Sequence, residues 1–549
     1  MQNVVLQVDP RDNVLIALTD LPAGQQVHFA GKTYTLPSAV PAKHKFAMQE
    51  ILTGGHIVMY GVLIGRAVKP IAEAARLTTS NVAHEAAAFH PQSGEYHWTP
   101  PDVSRWKERT FSGYHRSDGQ VGTRNYWLVV PLVFCENRNI GVLRQAFEEE
   151  LGFAAPQVYR QQVAEFVQLY RDGKAQQIEA RAFSGNGSSL ASHRVFEHVD
   201  GVKFLLHEGG CGTTREDSNN LCGLIAGYIN HPNVAGATVL SLGCQHAQIG
   251  ILREQIHARN SKFDKPLVIL EQQRSSSEFA MLSEAVRRTF LGLMQANGAR
   301  RQPASLSHLC LGLKCGGSDG FSGISANPAI GRTTDLLVAL GGRAILSEFP
   351  ELCGVEQELI NRGAQKQASD RFMRLMHEYQ ARARAVGAAF DMNPSPGNIR
   401  DGLVTDAMKS AGAAKKGGTS PIAAVLDYPE YATESGLNLQ CTPGSDVECV
   451  TAQVGAGANV VLFTTGLGTP TGNPIAPVVK ISSNSGLAER MHDVIDIDTG
   501  KIVTGETTLD QMGEEILELV SKVASGEIRT KAEARGQIDF IPWKRGISL

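Results

Sequence analysis

Lys314-Cys315-Gly316-Gly317-Ser318-Asp319-Gly320 follows directly on an apolar run that extends from His308 to Leu313. The run predicts a buried strand. Glycines right after a strand predict a tight turn whose main-chain N–H groups can face a ligand. A thiol and a carboxylate in the same turn could also hold a divalent cation. The residues alone equally allow a plain strand-to-helix turn around a buried thiol.

Similar apolar runs occur on both sides of this stretch, and most of them alternate with amphipathic helical sequence. They are residues 126–133, 202–206, 237–242, 266–270, 343–346, 422–426 and 460–463. Continuous apolar strands that alternate with helices are typical of a parallel sheet covered on both faces. The sequence therefore predicts an α/β protein, with a central α/β domain over residues 113–305 and a C-terminal α/β domain over residues 306–549.

The beginning of the chain has a different character. Residues 1–75 predict a small β-rich unit, because their apolar stretches are short, β-branched and broken by glycine, and helical periodicity is weak. Residues 76–112 carry Pro91, Pro100 and Pro101 among polar residues with no clear period. This pattern predicts a linker.

Charge and composition exclude several classes of protein. The formal net charge is −3, so we expect no broad basic surface and no nucleic-acid partner. No apolar run reaches the roughly 18 residues of a membrane span, and residues 1–12 show no signal-peptide pattern, so no membrane partner and a cytoplasmic location are expected. The 9 cysteines are dispersed and odd in number, which indicates thiols or metal ligands rather than a disulfide framework.

Polar and sulfur-bearing residues follow nearly every apolar run. Because ligands of open parallel sheets bind beyond the carboxyl ends of the strands, these residues are candidate site residues. They are Cys135, His207, Cys211, Cys244, His246, Gln272, Cys315, Asp319, Glu348, Glu351, Thr464 and Thr465. Thiolates and imidazoles suit iron or zinc, while the absence of a C-x-x-C pair excludes a zinc ribbon or a ferredoxin pattern.

Each cysteine taken alone could also be a small buried apolar residue, and five are interpreted in that way. These five are Cys222, Cys310, Cys353, Cys441 and Cys449. No G-x-G-x-x-G opens a helix after a first strand, which argues against a nicotinamide-dependent dehydrogenase.

Several of these segments together resemble the altronate/galactarate dehydratase family. They run in order along nearly the whole chain, as residues 43–47, 60–65, 114–125, 242–244, 315–323, 327–328, 393–398 and 463–470. Residues 348–354 and 443–446 resemble the altronate form more closely. Three features depart from the family pattern: a longer linker, extra helical sequence around residues 156–190, and His246. These departures leave the substrate less well defined than the reaction class.

The resemblance implies an N-terminal β-clip (SAF) domain, a linker and a Rossmann-like parallel-sheet catalytic region in two subdomains. It implies dehydration of D-altronate to 2-dehydro-3-deoxy-D-gluconate with Fe²⁺, or with Mn²⁺ or another divalent cation, by a homodimer. Two alternatives stay open. The substrate could be galactarate or another aldonate or aldarate, or the enzyme could be a related sulfo-lyase that acts on sulfolactate. A sugar-acid sensor without turnover is the rival from another class, and the clustered cysteines and histidines argue against it.

Roles for the candidate residues follow from the implied reaction. Loss of the C2 proton needs a base, and departure of the 3-hydroxyl needs an acid or a metal. We expect His44, Lys45 and His207 to be catalytic, with His207 also a candidate metal ligand. Cys211, Cys244 and Cys315 are the expected metal ligands, and three such thiols could instead hold a [4Fe-4S] cluster with an open iron. Substrate contacts are expected from Tyr60, Arg116, Arg124, Ser318, Asp319, Asn327, Asn398 and Thr465.

Overall fold

The computed structural model describes residues 4–92, 94–154, 158–181 and 194–548. The N-terminal part consists of short antiparallel strands. These are β1 (Val5–Leu6), β2 (Val14–Ala17), β3 (Gln26–Phe29), β4 (Lys32–Thr35), β5 (Lys45–Ala47), β6 (His56–Met59), β7 (Val62–Ala67) and β8 (Val82–Ala83). They form the sheet β1-β2-β5, the hairpin β3-β4 and the sheet β6-β7-β8. The last strand lies past the predicted boundary at residue 75.

The central part contains an antiparallel and a parallel sheet. Its elements are β9 (Thr110–His115), β10 (Val121–Gly122), β11 (Tyr126–Pro131), α1 (Asn137–Glu150), α2 (Val158–Arg171), β12 (Gly201–Phe204), α3 (Arg215–Asn230), β13 (Val234–Ser241), α4 (Ile249–Arg259), β14 (Leu267–Glu271), α5 (Glu278–Ala296) and β15 (Gln302–Ser305). The antiparallel sheet has the order β10-β9-β15, and the parallel sheet has the order β12-β11-β13-β14. Helix α2 covers part of the extra sequence around residues 156–190, while residues 155–157 and 182–193 lie outside the described residues.

The C-terminal part contains a larger parallel sheet. Its elements are β16 (Cys310–Cys315), α6 (Ala326–Ala339), β17 (Arg343–Leu346), α7 (Glu356–Asn361), α8 (Lys366–Ala385), α9 (Pro396–Arg400), α10 (Asp406–Ala414), β18 (Ile422–Leu426), β19 (Gly436–Gln440), α11 (Asp446–Gly455), β20 (Val460–Thr465), β21 (Val478–Ser482), α12 (Ser485–Arg490), β22 (Ile497–Asp498), α13 (Gly500–Thr504), α14 (Leu509–Ser525) and α15 (Lys531–Ala534). Seven strands run in the order β18-β19-β17-β16-β20-β21-β22. Every residue of β16 and β20 is buried, which accounts for their continuous apolar runs. The predicted fold class is confirmed.

Both parallel sheets are wound outward from an inner strand. The chain passes from β16 to β17 on one side and later returns to place β20 on the other side of β16. Strands β12 and β13 flank β11 in the same way. Open parallel sheets bind ligands at such points, beyond the carboxyl end of the strand. The stretch that ends β16 therefore lies where a binding site is expected. No described helix has the length and hydropathy that a membrane span requires.

A buried ion pair joins the central part to the end of the chain. Arg124 donates from Nε to Glu533 Oε1 (2.8 Å) and from Nη2 to Glu533 Oε2 (2.9 Å), a bidentate arrangement. Its Nη1 donates to the carbonyls of Thr123 (2.7 Å) and Val523 (2.9 Å). Because only 5% of Arg124 is exposed, removing its guanidinium would leave the Glu533 carboxylate in a buried place without its cation.

We predict that Arg124→Met lowers the free energy of unfolding by about 3–5 kcal/mol, because the variant strands a charge in a dry environment. Urea denaturation followed by circular dichroism measures the loss. Arg138→Met is the matched control, since Arg138 pairs with Glu278 at the surface and its removal should cost at most about 1 kcal/mol. Equal losses in the two variants would contradict the assignment of Arg124 as a structural anchor.

Candidate active site

The N-terminal domain docks on the carboxyl end of β16 through Lys43. Lys43 Nζ lies 3.0 Å from Asp319 Oδ2 and 3.0 Å from Asp401 Oδ1. Asp319 is fully buried, and its Oδ1 also accepts hydrogen bonds from the hydroxyls of Ser322 (2.9 Å) and Ser483 (2.8 Å). Contacts from both domains therefore hold the Asp319 carboxylate in one position. The carboxylate is enclosed and orients the Lys43 ammonium group.

The next two residues bind main-chain carbonyls of the same loop. His44 Nε2 lies 3.0 Å from the carbonyl oxygen of Arg400, and Lys45 Nζ donates to the carbonyl of Gly402 at 2.8 Å. The loop after α9 thus fixes the two predicted acid/base residues beside the end of β16.

The docking requires a close approach of two main chains at Gly402. This residue has a φ of +90°, and a Cβ atom built there would lie 2.4 Å from the carbonyl oxygen of Lys43. Side chains larger than a hydrogen atom would therefore both strain the backbone and push the Lys43–Lys45 segment away. The position of the acid/base residues depends on this glycine.

His44 and Lys45 have the protonation properties of an acid/base pair. Burial lowers the pKa of His44 below its usual value, so its imidazole is neutral near pH 7. Its Nε2 faces a carbonyl and must carry the proton, while its Nδ1 is buried and has no hydrogen-bond partner among the described residues. Burial also lowers the pKa of Lys45 to about 7, against the opposing effect of Asp319, so this amine exchanges protons near neutral pH.

The predicted polar residues around β16 form the wall of the same region. Asn398 Nδ2 donates to the carbonyl of Ser318 (2.7 Å), and Asn327 Oδ1 accepts from the hydroxyl of Thr464 (2.7 Å). The Thr465 hydroxyl accepts a hydrogen bond from the N–H of Gly468 at 2.9 Å and so shapes the loop that follows β20.

Tyr60 reaches the same region from the N-terminal domain. The Tyr60 hydroxyl lies against Gly323 and Gly412, and burial raises the pKa of this phenol. The structure thus brings together eight predicted residues, namely His44, Lys45, Tyr60, Ser318, Asp319, Asn327, Asn398 and Thr465. Whether each contacts substrate stays a prediction.

Cys315 lies in a neighbouring cluster that is crowded with charge. Its Sγ is 3.8 Å from Glu348 Oε2 and 3.6 Å from Glu351 Oε2. Lys416 Nζ lies 2.7 Å from both Cys315 Sγ and Glu348 Oε2. Lys314 also pairs with Glu348, and Lys409 Nζ contacts Glu351 Oε1 at 2.8 Å. Three lysines therefore already balance the two carboxylates, and burial beside Glu348 raises the pKa of Cys315 to about 11, which keeps it a thiol.

A second group of side chains that could bind a metal lies nearby. No lysine forms an ion pair with its carboxylate among the described residues. The ligand atoms of His84, Cys353 and Asp406 are all within 4.8 Å of one another. Both carboxylate oxygens of Asp406 are buried and have no hydrogen-bond partner among the described residues. A buried carboxylate in this condition requires a proton or a cation. This group is a better candidate for a divalent cation than the Cys315 cluster.

His207 is not available for proton transfer, which corrects the prediction. Its Nε2 lies 2.7 Å from the carbonyl oxygen of Pro131, and its Nδ1 accepts from the N–H of Gly209 at 3.1 Å. Both ring nitrogens are thus occupied by main chain, and burial lowers the pKa of His207 to about 4. The side chain instead joins the end of β11 to the loop that carries Cys211.

The predicted set of Cys211, Cys244 and Cys315 is divided by the structure, and this is a second correction. Cys211 follows β12 and Cys244 follows β13, so both belong to the four-stranded sheet. Cys315 ends β16 in the seven-stranded sheet and groups with carboxylates. Similar strand-end patterns recur in both predicted α/β domains, and the sequence did not show which strand ends meet in one site.

Arg116 and Arg124 are also placed elsewhere. Arg116 Nε donates to the carbonyl of Pro232 at 2.8 Å, and burial lowers the pKa of this guanidinium to about 10. Arg124 is occupied by Glu533, as described above. The expected role of these arginines in binding the substrate carboxylate is therefore replaced by a structural one.

Sequence reasoning missed His84, Asp406, Lys409 and Lys416, and it interpreted Cys353 as structural. Asp406 is the first residue of α10, where an acidic side chain is ordinary because it interacts favourably with the helix dipole. Lys416 follows an alanine- and glycine-rich helix, and an adjacent lysine pair usually indicates a solvated surface. Only the tertiary structure reveals that Lys416 is 1% exposed.

Three family models match the chain. The altronate/galactarate dehydratase SAF domain matches residues 3–85, the second domain of D-galactarate dehydratase/altronate hydrolase matches residues 113–297, and the C-terminal domain of D-galactarate/altronate dehydratase matches residues 306–548.

Full-length relatives agree with the family models. The chain is 32% identical over 548 residues to an altronate dehydratase of Bacillus subtilis, with 99% of each chain covered. It is 31% identical over 547 residues to an altronate dehydratase of Escherichia coli, again with 99% of each covered. It is 30% identical over 540 residues to a galactarate dehydratase (L-threo-forming) of Escherichia coli, with 97% and 94% covered.

The fold and these matches define a hydro-lyase that acts on a small sugar acid. The chain belongs to the altronate/galactarate dehydratase family, with a SAF domain at its N-terminus.

We predict that His207→Gln changes how stability depends on pH. The folded protein holds the pKa of His207 at about 4, whereas an unfolded chain has a pKa of about 6.5, so the unfolded state binds a proton first as the pH falls. The stability that neutral His207 contributes is therefore present above about pH 6.5 and is lost as the pH falls toward 4.

Between pH 7 and pH 5 the wild type should lose about 2 kcal/mol relative to the Gln variant, which does not titrate. Urea midpoints at the two pH values give this difference. His28→Gln, at an exposed position of the N-terminal domain, is the control and should behave as wild type. Parallel pH profiles for wild type and His207→Gln would contradict the assigned neutral, main-chain-bound state.

Proposed function

We propose that the chain converts D-altronate to 2-dehydro-3-deoxy-D-gluconate and water. The proposal rests on the position of His44 and Lys45. Both residues belong to the N-terminal domain, and they lie beside the carboxyl end of β16 in the C-terminal domain. A neutral imidazole with an unpaired nitrogen and an amine with a pKa of about 7 are what an elimination near neutral pH requires. The altronate dehydratases among the relatives, and the resemblance of residues 348–354 and 443–446 to the altronate form, support this substrate.

In the proposed reaction His44 is the base and Lys45 is the acid. His44 Nδ1 accepts the proton from C2, and Lys45 in its ammonium form donates a proton to the departing 3-hydroxyl. The resulting enol tautomerises to the 2-keto acid. Lys43 is a positioning residue in this scheme, because its contacts with Asp319 and Asp401 hold the segment in place.

A divalent cation, Fe²⁺ in the first instance, fits the group of His84, Cys353 and Asp406. The fit rests on the orphaned Asp406 oxygens and on a donor set of imidazole, thiol and carboxylate, which suits ferrous iron. Such a cation would supply electrostatic stabilisation of negative charge that develops on the substrate carboxylate.

We predict that Lys45→Gln lowers kcat by roughly 100-fold or more, because general acid catalysis contributes that much. In the wild type, kcat/KM should fall as the pH rises above about 7, since Lys45 then loses the proton that it must donate. It should also fall on the acid side, where His44 becomes protonated. The descending limb above about pH 7 should be absent from the residual activity of Lys45→Gln.

The control for this experiment is Lys32→Gln, in the same domain, where the exposed Lys32 pairs with Glu73. This variant should keep the wild-type rate and pH profile. A wild-type profile that rises through pH 7 and stays flat above it would mean that Lys45 is the base, and the assignment of roles would be wrong.

Substrate choice is tested by turnover of D-altronate, galactarate and sulfolactate under anaerobic conditions with ferrous iron. The largest kcat/KM is expected for D-altronate. Higher turnover of galactarate would identify the chain as a galactarate dehydratase. Release of sulfite from sulfolactate would identify it as a sulfo-lyase. Binding of these acids without turnover of any would favour a sensor.

We predict that Asp406→Asn weakens the binding of Fe²⁺ roughly tenfold or more, because one charged ligand is replaced by a neutral one and each 1.4 kcal/mol is a factor of ten. Anaerobic equilibrium dialysis with ferrous iron measures this without reference to activity. Asp370→Asn, which alters an exposed carboxylate on α8, is the control. Equal affinities of Asp406→Asn and wild type for Fe²⁺ would show that the cation does not bind at this group.

Two further properties implied by the family resemblance belong to the same proposal. The enzyme is a homodimer, which light scattering on the purified protein tests, and it acts in the cytoplasm, which fractionation of cells that express it tests.

A further inference from the structure

Three thiols follow three neighbouring strands of the four-stranded sheet. Cys135 follows β11, Cys211 follows β12 and Cys244 follows β13, and β11 lies between the other two strands. All three strands are parallel, so the three cysteines lie beyond the same edge of the sheet. This edge is the point at which the sheet is wound outward from β11, where a ligand is expected.

The three loops that carry these thiols are bound to one another. The N–H of Phe134, next to Cys135, donates to the carbonyl of Gly209 at 3.1 Å. The N–H of Ala247 donates at 3.1 Å to the carbonyl of Gly210, the residue before Cys211. With the contacts of His207 described above, these bonds fix the Cys211 loop between the loops that carry Cys135 and Cys244.

Exposure separates these three cysteines from the rest. All nine cysteines lie in the described part of the chain, and the other six are buried. Cys135 and Cys244 are exposed, and Cys211 is partly exposed. A buried thiol behaves as a small apolar side chain, but grouped accessible thiols are open to oxidation unless they hold a ligand. The structural interpretation made for buried cysteines such as Cys222 and Cys310 therefore does not extend to these three.

The spacing of the three sulfur atoms indicates the size of the ligand. The described side chains whose ligand atoms all lie within 4.8 Å of one another do not include this trio. A single tetrahedral ion that holds thiolates at about 2.3 Å would bring their sulfurs to about 3.8 Å apart. At least one pair of these sulfur atoms therefore lies farther apart than a single ion would hold it.

We propose that Cys135, Cys211 and Cys244 bind a [4Fe-4S] cluster through one iron each. A cluster of this kind spreads its cysteine ligands over different iron atoms, so it suits thiols that lie farther apart than the ligands of one ion. With three protein ligands the fourth iron is open and can take an oxygen ligand from a small molecule. The cluster site lies in the central part of the chain, apart from the group of His84, Cys353 and Asp406, and it does not depend on the proposed substrate.

The test uses the full chain, purified anaerobically, incubated with ferrous iron, sulfide and a thiol reductant, and then desalted. Wild type should retain about four acid-labile sulfides per chain and show the broad visible absorption of a cluster. Cys135→Ser, Cys211→Ser and Cys244→Ser should each lose most of the sulfide. Cys315→Ser and Cys222→Ala are the matched controls and should keep it. Iron without sulfide in the wild type, or full sulfide in the three Ser variants, would overturn the proposal.

A second measurement needs no substitution and so does not depend on the folding of a variant. Iodoacetamide treatment followed by peptide mass spectrometry should label Cys135, Cys211 and Cys244 in the chain without cluster and should spare them after cluster loading. Labelling of the three thiols to the same extent in both states would also overturn the assignment. Because neither measurement uses turnover, failure of the cluster and failure of the dehydratase proposal can be told apart.

Discussion

A single buried carboxylate organises the candidate active site. Asp319 is fully enclosed at the end of β16, and an enclosed charge must be compensated by hydrogen bonds and by an opposite charge. Two serines supply hydrogen bonds from the C-terminal domain, while the cation, Lys43, comes from the N-terminal domain. The electrostatic requirement of one domain is thus met by the other. The two residues that follow Lys43 are the proposed acid/base pair, so the same contact that satisfies Asp319 also sets their position.

The fold was largely predictable from the sequence, and the candidate site only in part. Continuous apolar runs indicated buried parallel strands because both faces of such strands are covered, and β11, β16 and β20 follow this rule. The same pattern predicted two α/β domains, but it could not show which strand ends meet in one site. Cysteines of equal appearance at the ends of β12, β13 and β16 were therefore assigned to one set, although hydrogen bonding between strands divides them.

The burial of a side chain and the identity of its hydrogen-bond or ion-pair partners are the properties that local sequence predicts least well. Lys416 looks like a surface lysine and is enclosed beside Cys315 and Glu348. His207 looks like a catalytic histidine, and its two nitrogens are bound to main chain. Asp406 looks like a residue that supports the start of a helix, and no described residue donates a hydrogen bond to its buried carboxylate. In each case the decisive neighbour is distant in sequence, so spacing along the chain carries no information about it.

The division of the site between two domains has a consequence for how such an enzyme can change. Residues 43–45 contact the C-terminal domain through their side chains and through close approaches at Gly320 and Gly402, while the surrounding wall is made by loops after β16 and β20. The proposed proton-transfer groups and the wall of the pocket are therefore encoded in separate stretches of the gene. Mutations of the wall can change the shape of the pocket while the contact between Lys43 and Asp319 keeps the proposed acid/base pair in place.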